Sequence, residues 1–168
     1  MADHKSPLNS SGLTEAEAKA FLANYDIPVG RHAVAATAKE AGELAEQVGF
    51  PVVMKILSPD ILHKTDVGGV VVGVASKSAA QATFTQIMQS AKEKKPEARI
   101  QGILIEEMSR KKYELLIGCK KDPIFGPVIV FGLGGVAVEV FRDTNIALPP
   151  LNMALSKRLI EDTHVYTL

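Results

Sequence analysis

Val52-Val53-Met54-Lys55-Ile56-Leu57, running on through Ser58-Pro59-Asp60-Ile61-Leu62-His63-Lys64-Thr65-Asp66-Val67 to Gly68-Gly69, decides how the chain is read. The first six residues have the length and β-branched content of a strand, with one lysine among apolar neighbours. An ammonium in that setting is costly unless it snorkels to water or meets an anion, so Lys55 calls for a partner. The loop that follows, expected to be mobile, carries His63 beside Lys64, and the strand resumes after two glycines. Lysine on a strand and histidine on the next loop suit phosphate chemistry.

Outward from this stretch, capping boxes mark helix starts at Thr14 with Glu17, Thr37 with Glu40, and Ser78 with Gln81. Helical spacing then predicts buried faces of Ala18, Phe21, Leu22 and Tyr25; of Ala41, Leu44, Ala45 and Val48; and of Phe84, Ile87, Met88 and Ala91. Strands are expected at Pro51–Leu57, Gly69–Ala75, Gly102–Glu107, Tyr113–Cys119, Pro127–Phe131 and Val136–Phe141, and a last helix at about Asn152–His164. Helix and strand alternate up to about residue 107, and strands then follow one another. That change predicts an α/β lobe followed by an antiparallel α+β lobe, with the boundary near Glu106–Lys112.

Nineteen basic and nineteen acidic residues cancel, so there is no field to hold nucleic acid by counterion release. The single cysteine, Cys119, excludes an internal disulfide and a multi-cysteine zinc site, which fits a reducing compartment. Residues 1–12 read as a poorly ordered polar tail without a signal-peptide core, and no apolar run approaches the ~20 residues that span a bilayer. A cytoplasmic protein is expected.

The segment around the lobe boundary carries a second signal. Glu106, Glu107 and Met108 close a strand, Ser109–Lys112 form a polar turn, and Glu114 opens the next strand. A nucleotide base needs backbone groups and an apolar wall, and a ribose diol needs a carboxylate acceptor. Each candidate also has a plainer reading. Lys55 is equally a snorkelling surface residue, His63 a solvated loop residue, the three glutamates sheet-edge charges, and Gly68-Gly69 a turn rather than a backbone approach to phosphate. Glu139, between Val138 and Val140, reads first as the polar side of a strand. Gly132-Leu133-Gly134-Gly135-Val136-Ala137 fits a dinucleotide fingerprint, but the alternating valines that follow predict a strand where that fold needs a helix.

Leu13–Ala18, Gly49–Lys55, Ser58–Gly69, Ile105–Met108 and Asp122–Gly135 together resemble the ATP-grasp domain of ADP-forming acyl-CoA synthetases, the acetate:CoA ligase relatives of succinyl-CoA synthetase. The resemblance covers residues 13–166. It implies an ATP-grasp fold of two lobes, 13–105 and 106–168, C-terminally incomplete, and a reversible conversion of acyl-CoA, ADP and phosphate to free acid, CoA and ATP. It places Lys55 on the nucleotide phosphates, with Gly68, Gly69, Glu106, Glu107, Met108 and Glu114 as further nucleotide-site residues. It makes His63 a phosphohistidine carrier, the neutral imidazole nitrogen being a competent nucleophile. ATP or ADP and Mg²⁺ are the implied cofactors, with the principal Mg²⁺ ligands expected beyond Leu168, and a CoA-binding subunit or domain is the implied partner. Without those ligands phosphoryl transfer should be weak. A silent nucleotide-binding fragment and a carboxylate-amine ligase are the alternatives, the loop histidine arguing against the latter. An unfinished sheet edge in the second lobe predicts association, as an oligomer, or a tendency to aggregate.

Overall fold

The computed structural model describes residues 13–109, 113–135 and 143–168. The polar tail 1–12, residues 110–112 of the expected turn, and the expected strand Val136–Phe141 with Glu139 lie outside the described residues. The chain divides into two compact units, Met1–Ser109 and Arg110–Leu168.

The first unit contains α1 (Glu15–Ala23), β1 (His32–Ala35), α2 (Ala38–Val48), β2 (Val52–Leu57), β3 (Val70–Val74), α3 (Lys77–Lys94) and β4 (Gly102–Glu107). Its four strands form one sheet in the order β1-β4-β2-β3, and every pairing is antiparallel. The alternation of helix and strand therefore produces no parallel crossover here. β1 was not expected from the sequence: at four residues, His-Ala-Val-Ala, it has little β-branched content and is recruited by pairing with β4.

Register assigns the residues to faces. Met54 lies opposite Ile105 and Ile56 opposite Ile103, so these side chains share one face, which α2 and α3 cover. That face is the core, with Ala35, Val52, Met54, Ile56, Ile87, Ile103 and Ile105 fully buried. Lys55 opposite Leu104, and Val53 opposite Glu106, put Lys55 and Glu106 on the other face. Period two thus turns a lysine inside an apolar strand away from the core.

The capping boxes at Thr37 and Thr14 form. In α2 the Glu40 amide donates to Thr37 Oγ1 at 3.2 Å and the Glu40 carboxylate accepts the Thr37 amide at 3.2 Å. In α1 the Glu17 carboxylate accepts both the amide and the hydroxyl of Thr14, at 2.8 and 2.6 Å. The cap of α3 is Ser76, whose hydroxyl accepts the Ala79 amide, and not Ser78; with β3 ending at Val74 the chain turns into the helix two residues earlier. The buried face expected for α1 does not exist: the helix has no buried residue, and Phe21, Leu22 and Tyr25 are 36%, 37% and 49% exposed.

In the second unit β5 (Leu115–Asp122), β6 (Gly126–Leu133) and β7 (Thr144–Ala147) make an antiparallel sheet in that order. Helix α4 (Met153–Glu161), capped by Asn152, and a 3-10 turn (His164–Thr167) follow. Phe131, Leu159 and Val165 form its small core. Antiparallel pairing of β6 on both sides removes the dinucleotide-fold reading of Gly132–Ala137, which requires a parallel βαβ unit.

Candidate functional site

On the sheet face away from the core, the Lys55 ammonium sits 2.6 Å from Glu15 Oε1 and 2.5 Å from Glu106 Oε2. Glu15 reaches Lys64 with its second oxygen at 3.1 Å, and Glu106 reaches Lys19 with its second oxygen at 2.6 Å. Three ammonium groups and two carboxylates thus form a continuous chain, Lys19–Glu106–Lys55–Glu15–Lys64. Sheet strands β2 and β4 supply its centre, α1 supplies Glu15 and Lys19, and the loop after β2 supplies Lys64.

The charges set one another. Burial pushes the Lys55 ammonium toward losing its proton, but the hydrogen bonds and charges of Glu106 and Glu15 outweigh this and raise its pKa above the ordinary 10.5. Burial likewise pushes the Glu15 carboxyl up, and Lys55 and then Lys64 overcome it and hold the pKa below the ordinary 4.5. Lys55 is therefore firmly cationic. The cluster carries three positive and two negative charges, an excess that favours an anion.

Glu15 and Lys19 belong to this cluster although no motif in the sequence marks them. Spaced i, i+4 on α1, they resemble an ordinary surface pair on a helix, yet each reaches to the sheet instead. The only signal in the sequence was that spacing together with an unpaired lysine on a strand.

The expected nucleotide-site residues are distributed unevenly. Glu106 is buried and both its oxygens are taken by Lys55 and Lys19. Glu107, its neighbour on β4, points to the opposite face by the pleat and accepts the Arg31 amide at 3.0 Å and its Nε at 2.9 Å. The Arg31 side-chain and backbone hydrogen bonds hold the Glu107 carboxyl below its usual range. Adjacent strand residues cannot serve one ligand from the same face. Met108 is exposed immediately after β4.

Glu114 belongs to the second unit. There its carboxylate lies over Gly135, where an added Cβ would stand 2.5 Å from Oε2, and its carbonyl accepts the Gly134 amide at 2.7 Å. The glycine turn after β6 is thus shaped around Glu114.

Gly68 and Gly69 close the loop on itself. The Gly68 amide donates to Thr65 O at 3.0 Å and the Gly69 amide to Lys64 O at 2.7 Å. A Cβ at Gly69 would stand 2.4 Å from Ile56 Cγ2, so glycine is required there by packing against β2. His63 is exposed at the loop apex, next to Lys64, whose ammonium shares Glu15 with Lys55. Among the described residues no group of three or more histidine, cysteine, aspartate or glutamate side chains is arranged to hold a metal ion. The carboxylates of the cluster face lysines, so Mg²⁺ is assigned no position on these residues. Among the described residues no helix is long and apolar enough to cross a membrane.

Comparison with known proteins identifies the family. The ATP-grasp domain family matches residues 8–168. The chain is 38% identical over 162 residues to the Acetate–CoA ligase [ADP-forming] I subunit beta of Pyrococcus furiosus, covering 96% of this chain and 70% of that protein. It is 38% identical over 160 residues to the Acetate–CoA ligase [ADP-forming] I of Archaeoglobus fulgidus, covering 95% of this chain but 23% of that protein. The structure of Acetyl-coenzyme A synthetase 1 of Ca. Korarchaeum cryptofilum, in complex with coenzyme A, Ca-AMPCP and HgCl⁺, superposes with a TM-score of 0.86 at 41% identity, covering 92% of this chain and 68% of that one. Another structure of that enzyme holds coenzyme A and Mg-AMPPCP, with a phosphohistidine segment pointing towards the nucleotide binding site. With a family match across nearly its whole length and a shared fold, the chain belongs to the ATP-grasp domain family.

Proposed function

We propose that this chain is the nucleotide-binding ATP-grasp part of an ADP-forming acyl-CoA synthetase, moving a phosphoryl group between a phosphohistidine and ADP. The observation that carries the reading is the cationic cluster: Lys55 and Lys64 converge on the two oxygens of one carboxylate, Glu15, at 2.6 and 3.1 Å. Two non-bridging phosphate oxygens have the same charge and nearly the same span, so a nucleotide phosphate is suited to take the place of that carboxylate. His63, adjacent to Lys64, is the proposed carrier. In the direction of ATP use, an imidazole nitrogen forms a bond to the γ-phosphorus as the bond to the bridging oxygen breaks. ADP leaves with that oxygen, and the ring proton passes to solvent.

In this proposal the two compact units, Met1–Ser109 and Arg110–Leu168, are the two ATP-grasp lobes. The partner is a CoA-binding subunit or domain, which the subunit-beta naming of the Pyrococcus furiosus relative supports. Relatives named for acetate and for 4-hydroxybutyrate match at 38% and 42% identity, which leaves the acyl group open. The lone Cys119 supports a cytoplasmic setting.

Calorimetric titration with ADP tests the site. Binding to the wild type and its loss in Lys55→Ala is the expected result, and equal affinity in the two proteins refutes it. Mixed with a CoA-binding subunit, acetyl-CoA, ADP, phosphate and Mg²⁺, the wild type should form ATP and His63→Ala should not.

A further inference from the structure

A histidine that passes a phosphoryl group between distant partners suggests a swinging arm, yet the loop bearing His63 is fastened at both ends. On the outgoing limb, Asp60 Oδ2 accepts the Arg99 amide at 2.8 Å and Arg99 Nε at 2.9 Å, while Oδ1 accepts Nη2 at 2.8 Å. On the returning limb, Ser90 Oγ donates to Val67 O at 2.7 Å and Lys94 Nζ donates to Asp66 O at 3.0 Å, both from α3. Ile61 and Val67, 5% and 3% exposed, plug the two limbs into the core under the helices. Leu62 and His63 stand exposed between Ile61 and the ion-paired Lys64.

Among the described residues, Arg99 gives its side-chain bonds to this construction. It lies on the segment before β4, its side chain is 74% exposed, and its three bonds go to one carboxylate. So exposed a pair contributes little to global stability, but a planar guanidinium bonded twice to a carboxylate fixes orientation as well as distance. The arginine hydrogen bonds hold the Asp60 carboxyl down at about 2, so the grip persists through the neutral range.

We infer that Arg99 is a positioning residue whose grip on Asp60 makes the 58–69 loop a fixed station, so that phosphoryl donor and acceptor travel to His63 and the imidazole does not travel to them. This rests on the carrier role proposed above for His63. It replaces the expectation of a mobile loop with a built one.

Two measurements on the whole chain decide the inference. In the first, amide hydrogen exchange is followed by NMR at Asp66, Gly68 and Gly69 in wild type, Arg99→Ala, and the charge-swapped pair Asp60→Arg/Arg99→Asp. Exchange in Arg99→Ala should be faster by about tenfold at these loop amides and unchanged in β2 and β4, with the swapped pair returning toward wild type. Loop amides that exchange equally fast in wild type and Arg99→Ala overturn the clamp. In the second, the rate of phosphoryl transfer from labelled ATP to His63 is measured with the CoA-binding partner and Mg²⁺ present. Arg99→Ala should lower that rate about tenfold with ADP affinity unchanged, and the swapped pair should recover it. Equal rates overturn the positioning role. A wild type that takes no label at His63 removes the carrier reading and the transfer part of the inference with it, while hydrogen exchange at the loop amides still decides whether the clamp exists.

Discussion

Lys55→Met, which keeps the length of the side chain and deletes its charge, probes how the cluster is held together. Glu106 is 8% exposed and loses one of two cations, while Lys19 remains 2.6 Å from its other oxygen. Stranding a buried charge outright costs about 3–5 kcal/mol. Because Lys19 stays and the Lys55 side chain is 26% exposed, the discounted cost is about 1–2 kcal/mol. That corresponds to roughly 5–30-fold faster native-state hydrogen exchange at the most protected amides of β2 and β4, which report on the first unit alone. Glu106→Gln should be destabilising too, since it leaves Lys19 without its carboxylate. The double variant should cost less than the sum by at least about 0.5 kcal/mol, the coupling expected of contacting partners. Strict additivity, within about 0.3 kcal/mol, would refute the claim that Lys55 and Glu106 act as a pair.

Two further outcomes follow from the same geometry. Gly69→Ala drives a Cβ against Ile56 Cγ2 and Lys64 O, at 2.4 and 2.9 Å, and should destabilise the first unit by about 1–3 kcal/mol in urea unfolding, whereas a neutral result would mean that the loop yields freely. The pH dependence has two signs. The Glu15 pKa is lowered on folding, so its contribution is present above the unfolded value of 4.5 and lost as pH falls through the folded one. The Lys55 pKa is raised, so its contribution is complete below 10.5 and lost as pH rises through the folded value. Stability should therefore hold level between about pH 5 and 10 and decline on both sides, with Glu15→Gln flattening the acid side; an unchanged acid limb in that variant counts against the cluster.

Much of the scaffold could be read from local chemistry. The capping boxes at Thr14 and Thr37 and the apolar strands β2 and β4 declare themselves, because each rests on residues within one element. β1 and β7 did not, since four-residue strands are made by their neighbours and not by their own composition. The cap of α3 is ambiguous by two residues in the sequence because Ser76 and Ser78 both satisfy a capping preference and only the end of β3 selects between them. The face of α1 differs from its apolar spacing for a physical reason: Phe21 and Leu22 fit a helical stripe, but what this helix offers the sheet is Glu15 and Lys19.

The site was half visible. A lysine with β-strand neighbours announced the need for an anion, and the sequence could not say that two carboxylates 91 residues apart, Glu15 and Glu106, would both answer it. Glu106 and Glu107 looked like one acidic group, and only the pleat separates their directions. Gly68-Gly69 looked like a phosphate approach, and their amides are spent inside the loop.

Helix α1 buries none of its own residues fully and meets the sheet through the ion pairs of Glu15 and Lys19. Those ion pairs should weaken as ionic strength rises, while the apolar interior beneath α2 and α3 has no charge for salt to screen. Glu15 is at once the clasp of that helix and, in the function proposed above, the stand-in for a phosphate, so a polyanion binding there would unlatch α1 in the act of binding.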